Sequence, residues 1–189
     1  YIVISDTIKT GVKEAMSSLK RANVSKTVML TGDREEAALA VAKEVGVDEV
    51  HFELLPADKV EKVEQLLATA SNKRRVAFVG DGINDAPVLA RADIGIAMGS
   101  LGSDAAIEAA DIVIMDDDIS NVTKAIKISK KTMKTVIVNM IFSILVKVGI
   151  MIITMFVKLP IWVAIIGDVG VCLLAILNSL TIMYGKYIK

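Results

Sequence analysis

The chain has 189 residues, of which 53% are hydrophobic, and its formal net charge is zero. Its mean hydropathy of +0.56 excludes an ordinary soluble domain, and a single cysteine, Cys172, excludes a disulfide framework. The charges are uneven, because residues 136–189 contain only four lysines and one aspartate. We therefore expect a front region in water, with a reducing compartment favoured, and a back region in lipid.

Strands and helices alternate through the front region, starting with a short apolar segment that lacks the basic flank of a signal peptide. Since the first residue is not methionine, we expect the chain to begin partway through a longer protein. The alternation predicts a doubly wound, mostly parallel α/β sheet, with its chemistry at one edge. Strands are predicted over residues 1–5, 26–30, 50–52, 76–79, 93–98 and 112–115, and helices over 6–23, 34–45, 56–70 and 104–110.

The loop after the fourth strand has the strongest chemical signature. It reads Gly80-Asp81-Gly82-Ile83-Asn84-Asp85, and Pro87 then suits the first turn of a helix. Carboxylate and amide oxygens are hard ligands of the kind that Mg²⁺ prefers, and this loop lies where parallel sheets bind ligands. The loop therefore predicts a magnesium site that handles phosphate. An ordinary turn would explain one Asp-Gly pair, but not the whole set.

Two further loops are expected at the same edge. Thr31-Gly32-Asp33 joins a strand to a helix and could cradle an anion, although a plain helix cap at Asp33 is the alternative. Lys59 stands in the first turn of a helix, where a cation is electrostatically unfavourable. It is either a solvated side chain or a lysine that holds a phosphoryl oxygen. His51 has no metal-ligand partner in sequence and is assigned to a strand surface.

In order and spacing, these segments resemble the phosphorylation domain of P-type ATPases, within the haloacid-dehalogenase superfamily. The hexapeptide from Gly80 to Asp85 is the most specific part, and Met98-Gly99-Ser100 with residues 105–111 extends the match. The resemblance covers essentially the whole chain. It implies that Asp81 and Asp85 hold Mg²⁺ as a cofactor, with Asn84 beside them, and that the phosphoryl site includes Thr31, Gly32, Asp33 and Lys59.

The resemblance also indicates what this sequence does not contain. The nucleophile of the family is an aspartate in an Asp-Lys-Thr-Gly-Thr motif, which does not occur here. In the family its strand lies centrally, between the strands that end at Thr31 and Asp81, so the sheet would lack its middle. We expect ATP to be bound mainly by other domains of the same ATPase. The nucleotide-binding domain, the actuator domain and earlier membrane helices would be partners, and this segment alone would be inactive.

The back region begins with acidic residues 116–118 at a helix start and continues into a basic helical segment. A nucleic-acid patch is the competing interpretation of these lysines, but a basic stretch before an apolar run is what the positive-inside rule expects. The lysines are Lys124, Lys127, Lys130, Lys131 and Lys134. We predict a phosphorylation-domain portion over residues 1–118, a basic cytoplasmic stalk over 119–135 and a transmembrane hairpin over 136–189, with no nucleic acid bound.

The hairpin comprises two predicted spans, residues 136–157 and 161–184, each long enough to cross a bilayer. Both ends of the segment would then be cytoplasmic, in a multi-pass protein of the cell membrane surrounded by lipid. Each span contains one charge near its middle, Lys147 and Asp168. A polar stripe accompanies each charge, formed by Asn139 and Ser143 on one span and by Cys172 and Ser179 on the other. These stripes suggest an ion path, and the alternative is a structural salt bridge.

A lysine in the penultimate span and Asp-x-Gly early in the last one resemble the heavy-metal subclass that exports Zn²⁺, Cd²⁺ and Pb²⁺. The resemblance implies that Asp168 ligates the transported ion and that Lys147 neutralises it after release. Soft ligands would come from an earlier helix outside this segment. Two other functions stay open at this point: a membrane-tethered phosphatase of the same superfamily, and a truncated, non-enzymatic membrane module.

Overall fold

The chain, described by a computed structural model over residues 7–71, 74–80, 85–99, 104–116, 118–158 and 160–183, forms two compact units. The first unit is Tyr1–Thr123 and the second is Lys124–Lys189. The division falls within the segment predicted as a stalk.

Strands and helices alternate through the first unit, which confirms the predicted α/β class. The strand predicted over residues 1–5 lies outside the described residues. The helices are α1 Val12–Arg21, α2 Glu35–Val45, α3 Pro56–Thr69, α4 Ala86–Arg91 and α5 Asp104–Ala109, and the strands are β1 Val28–Leu30, β2 Glu49–His51, β3 Ala77–Gly80, β4 Ile94–Met98 and β5 Ile112–Ile114.

The first helix begins later than predicted. The apolar spacing placed its start at Asp6, whereas α1 begins at Val12. Gly11 precedes it with φ of 88°, a left-handed conformation that cannot continue a right-handed helix. The prediction was wrong because apolar spacing alone does not report this glycine's backbone conformation.

All strand pairs of the described residues are parallel, and they form two sheets. β1 pairs with β2, and β3, β4 and β5 form a second sheet in that order. β1 and β3 are therefore edge strands in the part of the chain that the structure describes. This arrangement is consistent with the expectation that a strand from elsewhere lies between them.

An aspartate stands directly before three of the strands and accepts a hydrogen bond from the neighbouring strand's backbone. Such a bond satisfies an amide at the start of the strand and fixes how far two parallel strands are offset. The three bonds run to Asp48 from Thr27 N (2.8 Å), to Asp93 from Val76 N (2.9 Å) and to Asp111 from Gly95 N (2.8 Å). We call these residues the strand-start aspartates.

The core of the second sheet is built from small and medium apolar side chains. Leu89, Ala97 and Ala106 are fully buried, and Phe78 packs against them. The sheet is thus covered by α4 and α5, and the carboxyl ends of β3 and β4 lead into the loops with the predicted chemistry.

Two long helices make up most of the back region. α6 spans Ser120–Phe156 and α7 spans Ile161–Met183, and both are long and apolar enough to cross a membrane. Almost none of the side chains in their apolar segments are buried within the protein. α6 covers residues 120–156 of the predicted stalk and first span without interruption, and Asp118 accepts hydrogen bonds from the Ser120 N–H and hydroxyl at its start.

Asp48 offers a test of the strand-start aspartates. Hydrogen bonds from the Thr27 hydroxyl and from Lys20 hold the pKa of Asp48 at about 2, below its ordinary value of 3.8. A lowered pKa means that the ionised carboxylate contributes stability at pH above about 4 and that this contribution is lost as pH falls toward 2. We expect Asp48→Asn to lower the unfolding temperature by a few degrees at pH 7, with the difference shrinking below pH 4.

The matched control is Glu44→Gln, since Glu44 forms only an exposed 3.4 Å ion pair with Lys13. Thermal unfolding in detergent at pH 7, 4 and 3 checks the prediction. An Asp48→Asn effect equal to that of the control, or one independent of pH, would contradict it.

Candidate functional site

Lys59 and Asp85 form an ion pair at the edge of the three-stranded sheet. Lys59 Nζ lies 2.9 Å from Asp85 Oδ1, and their side chains are only 19% and 13% exposed. Lys59 comes from the first turn of α3, and Asp85 is the residue directly before α4. The partner offsets the unfavourable position of a cation at a helix start. Such a shielded pair is a charge-assisted contact that a phosphoryl group or a metal ion could reorganise.

Gly80 lets Asp85 lie directly against the end of β3. A Cβ atom added at Gly80 would lie 3.0 Å from both Cβ and Oδ2 of Asp85, which is tighter than ordinary contact. A side chain at this position would therefore push the carboxylate away from Lys59. Asp81 and Asn84, the predicted magnesium ligand and its neighbour, lie outside the described residues.

Asp85 offers one carboxylate oxygen that would suit Mg²⁺. Asp85 uses Oδ1 for Lys59, and no hydrogen bond to Oδ2 is present among the described residues. A partly shielded carboxylate oxygen is the hard ligand that Mg²⁺ prefers. The described residues contain no cluster of three or more His, Cys, Asp or Glu side chains, so further ligands would have to come from Asp81, substrate or water.

The Thr31-Gly32-Asp33 segment forms a closed turn. The Thr31 hydroxyl donates to Asp33 Oδ2 over 2.8 Å and accepts from the Asp33 N–H over 3.1 Å. The helix-cap alternative is wrong, because the residue preceding α2 is Arg34 and no side chain caps that helix. The amide groups at the start of α2 therefore remain available to an anion. Within the described residues, no hydrogen bond joins this turn to Lys59 or Asp85.

His51 lies on β2, as predicted, and pairs with an acidic neighbour. Its Nε2 is 2.7 Å from Glu49 Oε1, and its side chain is half-buried. A hydrogen bond from Lys26, followed by that from His51, lowers the pKa of Glu49. These contacts occupy His51 within the fold, and among the described residues it belongs to no group of three or more potential metal ligands.

Lys147 and Asp168 meet between the two long helices. Lys147 Nζ on α6 lies 2.7 Å from Asp168 Oδ1 on α7. Their side chains are 57% and 66% exposed, so the pair lies at the margin of the helix contact rather than inside it. The structure thus brings together the two charges that the sequence placed near the middle of the spans.

The residue before Asp168 is a point of close helix contact. A Cβ atom at Gly167 would lie 2.2 Å from Ile150 Cδ1, so the Ile150 side chain of α6 packs directly against the α7 backbone here. Small residues at helix contacts are how membrane helices pack closely. This close approach lets the Lys147 and Asp168 side chains meet.

A second polar contact between α6 and α7 includes a residue that the sequence analysis missed. Asn139 and Ser179 were assigned to polar stripes, whereas Asn178 was not. The Asn178 amide donates to Asn139 Oδ1 over 2.6 Å. Counting residues in opposite directions from the hairpin loop would have placed Asn139 opposite this part of α7.

Comparisons with known proteins agree with this architecture. The haloacid dehalogenase-like hydrolase family matches residues 1–93. The chain is 51% identical to the zinc-transporting ATPase of Synechocystis sp. over 179 residues, which are 95% of this chain and 25% of that protein. It is 49% identical to the cadmium, zinc and cobalt-transporting ATPase of Bacillus subtilis over 98% of this chain and 26% of that protein.

A solved structure extends the similarity to both units. A crystal structure of a zinc-transporting PIB-type ATPase in the E2.Pi state matches with a TM-score of 0.84 and 35% identity. The match covers 94% of this chain and 28% of that one. The chain therefore spans about a quarter of the length of these relatives, and its haloacid dehalogenase-like part is followed by two helices that are long and apolar enough to cross a membrane.

Gly167 provides a graded test of the helix contact. Gly167→Ala should have little effect, because Ile150 Cδ1 is the end of a flexible side chain that can rotate away. Gly167→Leu should separate the helices and lower the thermal unfolding temperature in detergent, at a cost of about 1–3 kcal/mol. Gly149→Leu is the matched control, since nothing lies within 4 Å of a Cβ at Gly149. Equal unfolding temperatures for the two leucine variants would contradict this packing.

Proposed function

We propose that this chain, whose residues 1–93 match the haloacid dehalogenase-like hydrolase family, is part of an ATP-driven exporter of divalent heavy-metal ions, Zn²⁺, Cd²⁺ or Pb²⁺. The observation that carries the proposal is the 2.7 Å Lys147–Asp168 ion pair between two helices apolar enough to span a membrane. Placing a charged side chain inside a membrane span costs free energy, and a transport role would explain why two such side chains are present. Relatives that transport zinc and cadmium support the same function.

In the first unit, the residues at the carboxyl edge of the sheet would bind a phosphoryl group. We propose that Lys59 holds a phosphoryl oxygen as a point charge and that the Thr31-Gly32-Asp33 turn, at the uncapped start of α2, presents N–H groups to the same group. Mg²⁺, held by Asp81 and Asp85 with Asn84 nearby, would neutralise charge on the phosphate oxygens. The aspartate that is phosphorylated, and most of the ATP-binding surface, would come from other domains.

In the second unit, Asp168 would supply a hard oxygen ligand to the transported ion. Lys147 lies close enough to neutralise Asp168 once the ion has left, which favours release. Softer ligands would come from an earlier helix. The basic stretch from Lys124 to Lys134 favours a cytoplasmic position for the start of α6, so that both ends of the segment would be cytoplasmic in the cell membrane.

Replacement of the proposed magnesium ligand tests the cytoplasmic half. In the complete protein, Asp81→Ala should reduce Mg²⁺-dependent phosphoenzyme formation from ATP by roughly a hundredfold or more, because it removes an ionised ligand from a site that balances phosphate charge. Asp116→Ala is the matched control, since Asp116 is an exposed aspartate in the same unit. Normal phosphorylation of the Asp81 variant would contradict the assignment.

Replacement of both membrane charges separates transport from a structural salt bridge. Well-packed apolar residues often replace an ion pair without loss of stability, so Lys147→Leu/Asp168→Leu should fold. If Asp168 is a ligand, Zn²⁺-stimulated ATP hydrolysis should vanish in this variant while phosphorylation by inorganic phosphate survives. Turnover of the complete protein is the measurement. Wild-type stimulation in the double variant would show that the pair only supports the hairpin.

A further inference from the structure

Asn139 and Asn178 form the most extensively hydrogen-bonded contact between α6 and α7 that the structure describes. We propose that they are positioning residues, which fix the register of the two helices so that Lys147 meets Asp168. The inference rests on the proposed function, because its consequence is the affinity of the transport site for its metal ion. It assigns no metal-binding role to either asparagine.

One carboxamide reaches three groups of the partner helix. Asn139 Nδ2 donates to the Ala175 carbonyl and to Ser179 Oγ, each over 3.1 Å, and Asn139 Oδ1 accepts from Asn178 over 2.6 Å. Because a backbone carbonyl can only accept, the amide group of Asn139 has to face Ala175. The Ser179 hydroxyl in turn donates to the Ala175 carbonyl over 2.9 Å. These hydrogen bonds can therefore form only with one turn of α7 opposite Asn139 and with the Asn139 side chain in one orientation.

The asparagine contact and the ion pair belong to one antiparallel register. Lys147 follows Asn139 by two helical turns toward the hairpin loop, and Asp168 precedes Ala175 by two turns toward the same loop. A slip of one turn would shift the partners by about 5.4 Å, and a slip of one residue would rotate them by about 100°. Either slip would leave the carboxamide without its partners and the Asp168 carboxylate away from Lys147.

The lysine and aspartate are poorly suited to set this register themselves. A lysine has a flexible four-carbon stem that can reach carboxylates at several positions. In the proposed function the metal ion also displaces Lys147 from Asp168, so the pair is broken during part of the cycle. A short asparagine loses its bonds on any slip, and a single asparagine in a helix contact is known to specify register. The asparagines can hold the helices while the ion pair opens.

The experiment compares three variants of the complete pump. Asn139→Leu removes all three bonds of the carboxamide, and Asn178→Leu removes only one. Thr154→Val is the matched control, because the Thr154 hydroxyl bonds only to Met151 O within α6. For each variant we would measure the Zn²⁺ concentration that half-saturates ATP hydrolysis, the maximal rate, and phosphorylation by inorganic phosphate.

We expect half-saturation to require about tenfold more Zn²⁺ in Asn139→Leu, which loses three interhelical hydrogen bonds. It should require about threefold more in Asn178→Leu, which loses one. The maximal rate should stay within about twofold, and phosphorylation by inorganic phosphate should be unchanged. A general loss of folding would lower the maximal rate and the phosphorylation by inorganic phosphate together and would leave the half-saturating Zn²⁺ concentration of the remaining folded pump unchanged. A raised half-saturating Zn²⁺ concentration at a nearly unchanged maximal rate would therefore indicate that the asparagines position the metal site.

Wild-type half-saturation in Asn139→Leu, with Thr154→Val also normal, would overturn the register role while leaving the proposed function intact. If Asn139→Leu does not accumulate, Asn178→Leu decides, and an unchanged half-saturation there overturns the inference. An unmodified pump that shows no stimulation by Zn²⁺, Cd²⁺ or Pb²⁺ would overturn the proposed function and this inference with it.

Discussion

The front unit depends on hydrogen bonds between carboxylates and backbone amides at the starts of its parallel strands. Asp48, Asp93 and Asp111 each accept from the neighbouring strand, and each therefore fixes the offset of one strand pair. For strands of given length, a fixed offset at the start also fixes where the carboxyl ends lie, so these bonds help to position the loops at the carboxyl edge. The edge proposed to bind ligands is thus positioned from the opposite edge of the sheet, by residues to which the proposal gives no chemical role.

Two lysine–aspartate ion pairs have similar geometry but lie in different surroundings. Lys59 and Asp85 are joined over 2.9 Å in a partly shielded site, whereas Lys147 and Asp168 are joined over 2.7 Å at the margin of an apolar helix pair. Removing one partner from such a pair leaves an uncompensated charge, which is costly away from water. A ligand of the right charge can open the pair without that cost, because it replaces the lost partner. Both pairs are therefore suited to sites that are occupied in turn by a protein side chain and by an ion.

The sequence predicted the order and type of the elements because apolar residues recur with the period of strands and helices. It placed the start of α1 wrongly, since Gly11 interrupts the helix through its backbone conformation. The strand-start aspartates could not be predicted, because each one bonds to a backbone amide 16 to 21 residues away. Lys59 was recognised as unusual from its position in a helix start, but its partner became apparent only when α3 and α4 were placed together. Asn178 was missed because its importance depends on the pairing of two helices.

In the proposed membrane hairpin, the residues assigned to transport would also determine how the two helices pack. Lipid solvates apolar side chains as well as protein does, so in a membrane the hydrophobic effect would do little to hold α6 against α7. Association then rests on close approach at Gly167 and on polar contacts at Asn139 and Lys147. If all of these contacts had to open for transport, the helices would lose their register in each cycle. In the proposed function, a permanent contact formed by the asparagines, two turns from a reversible one formed by the ion pair, would allow the site to release its ion without the helix pair coming apart.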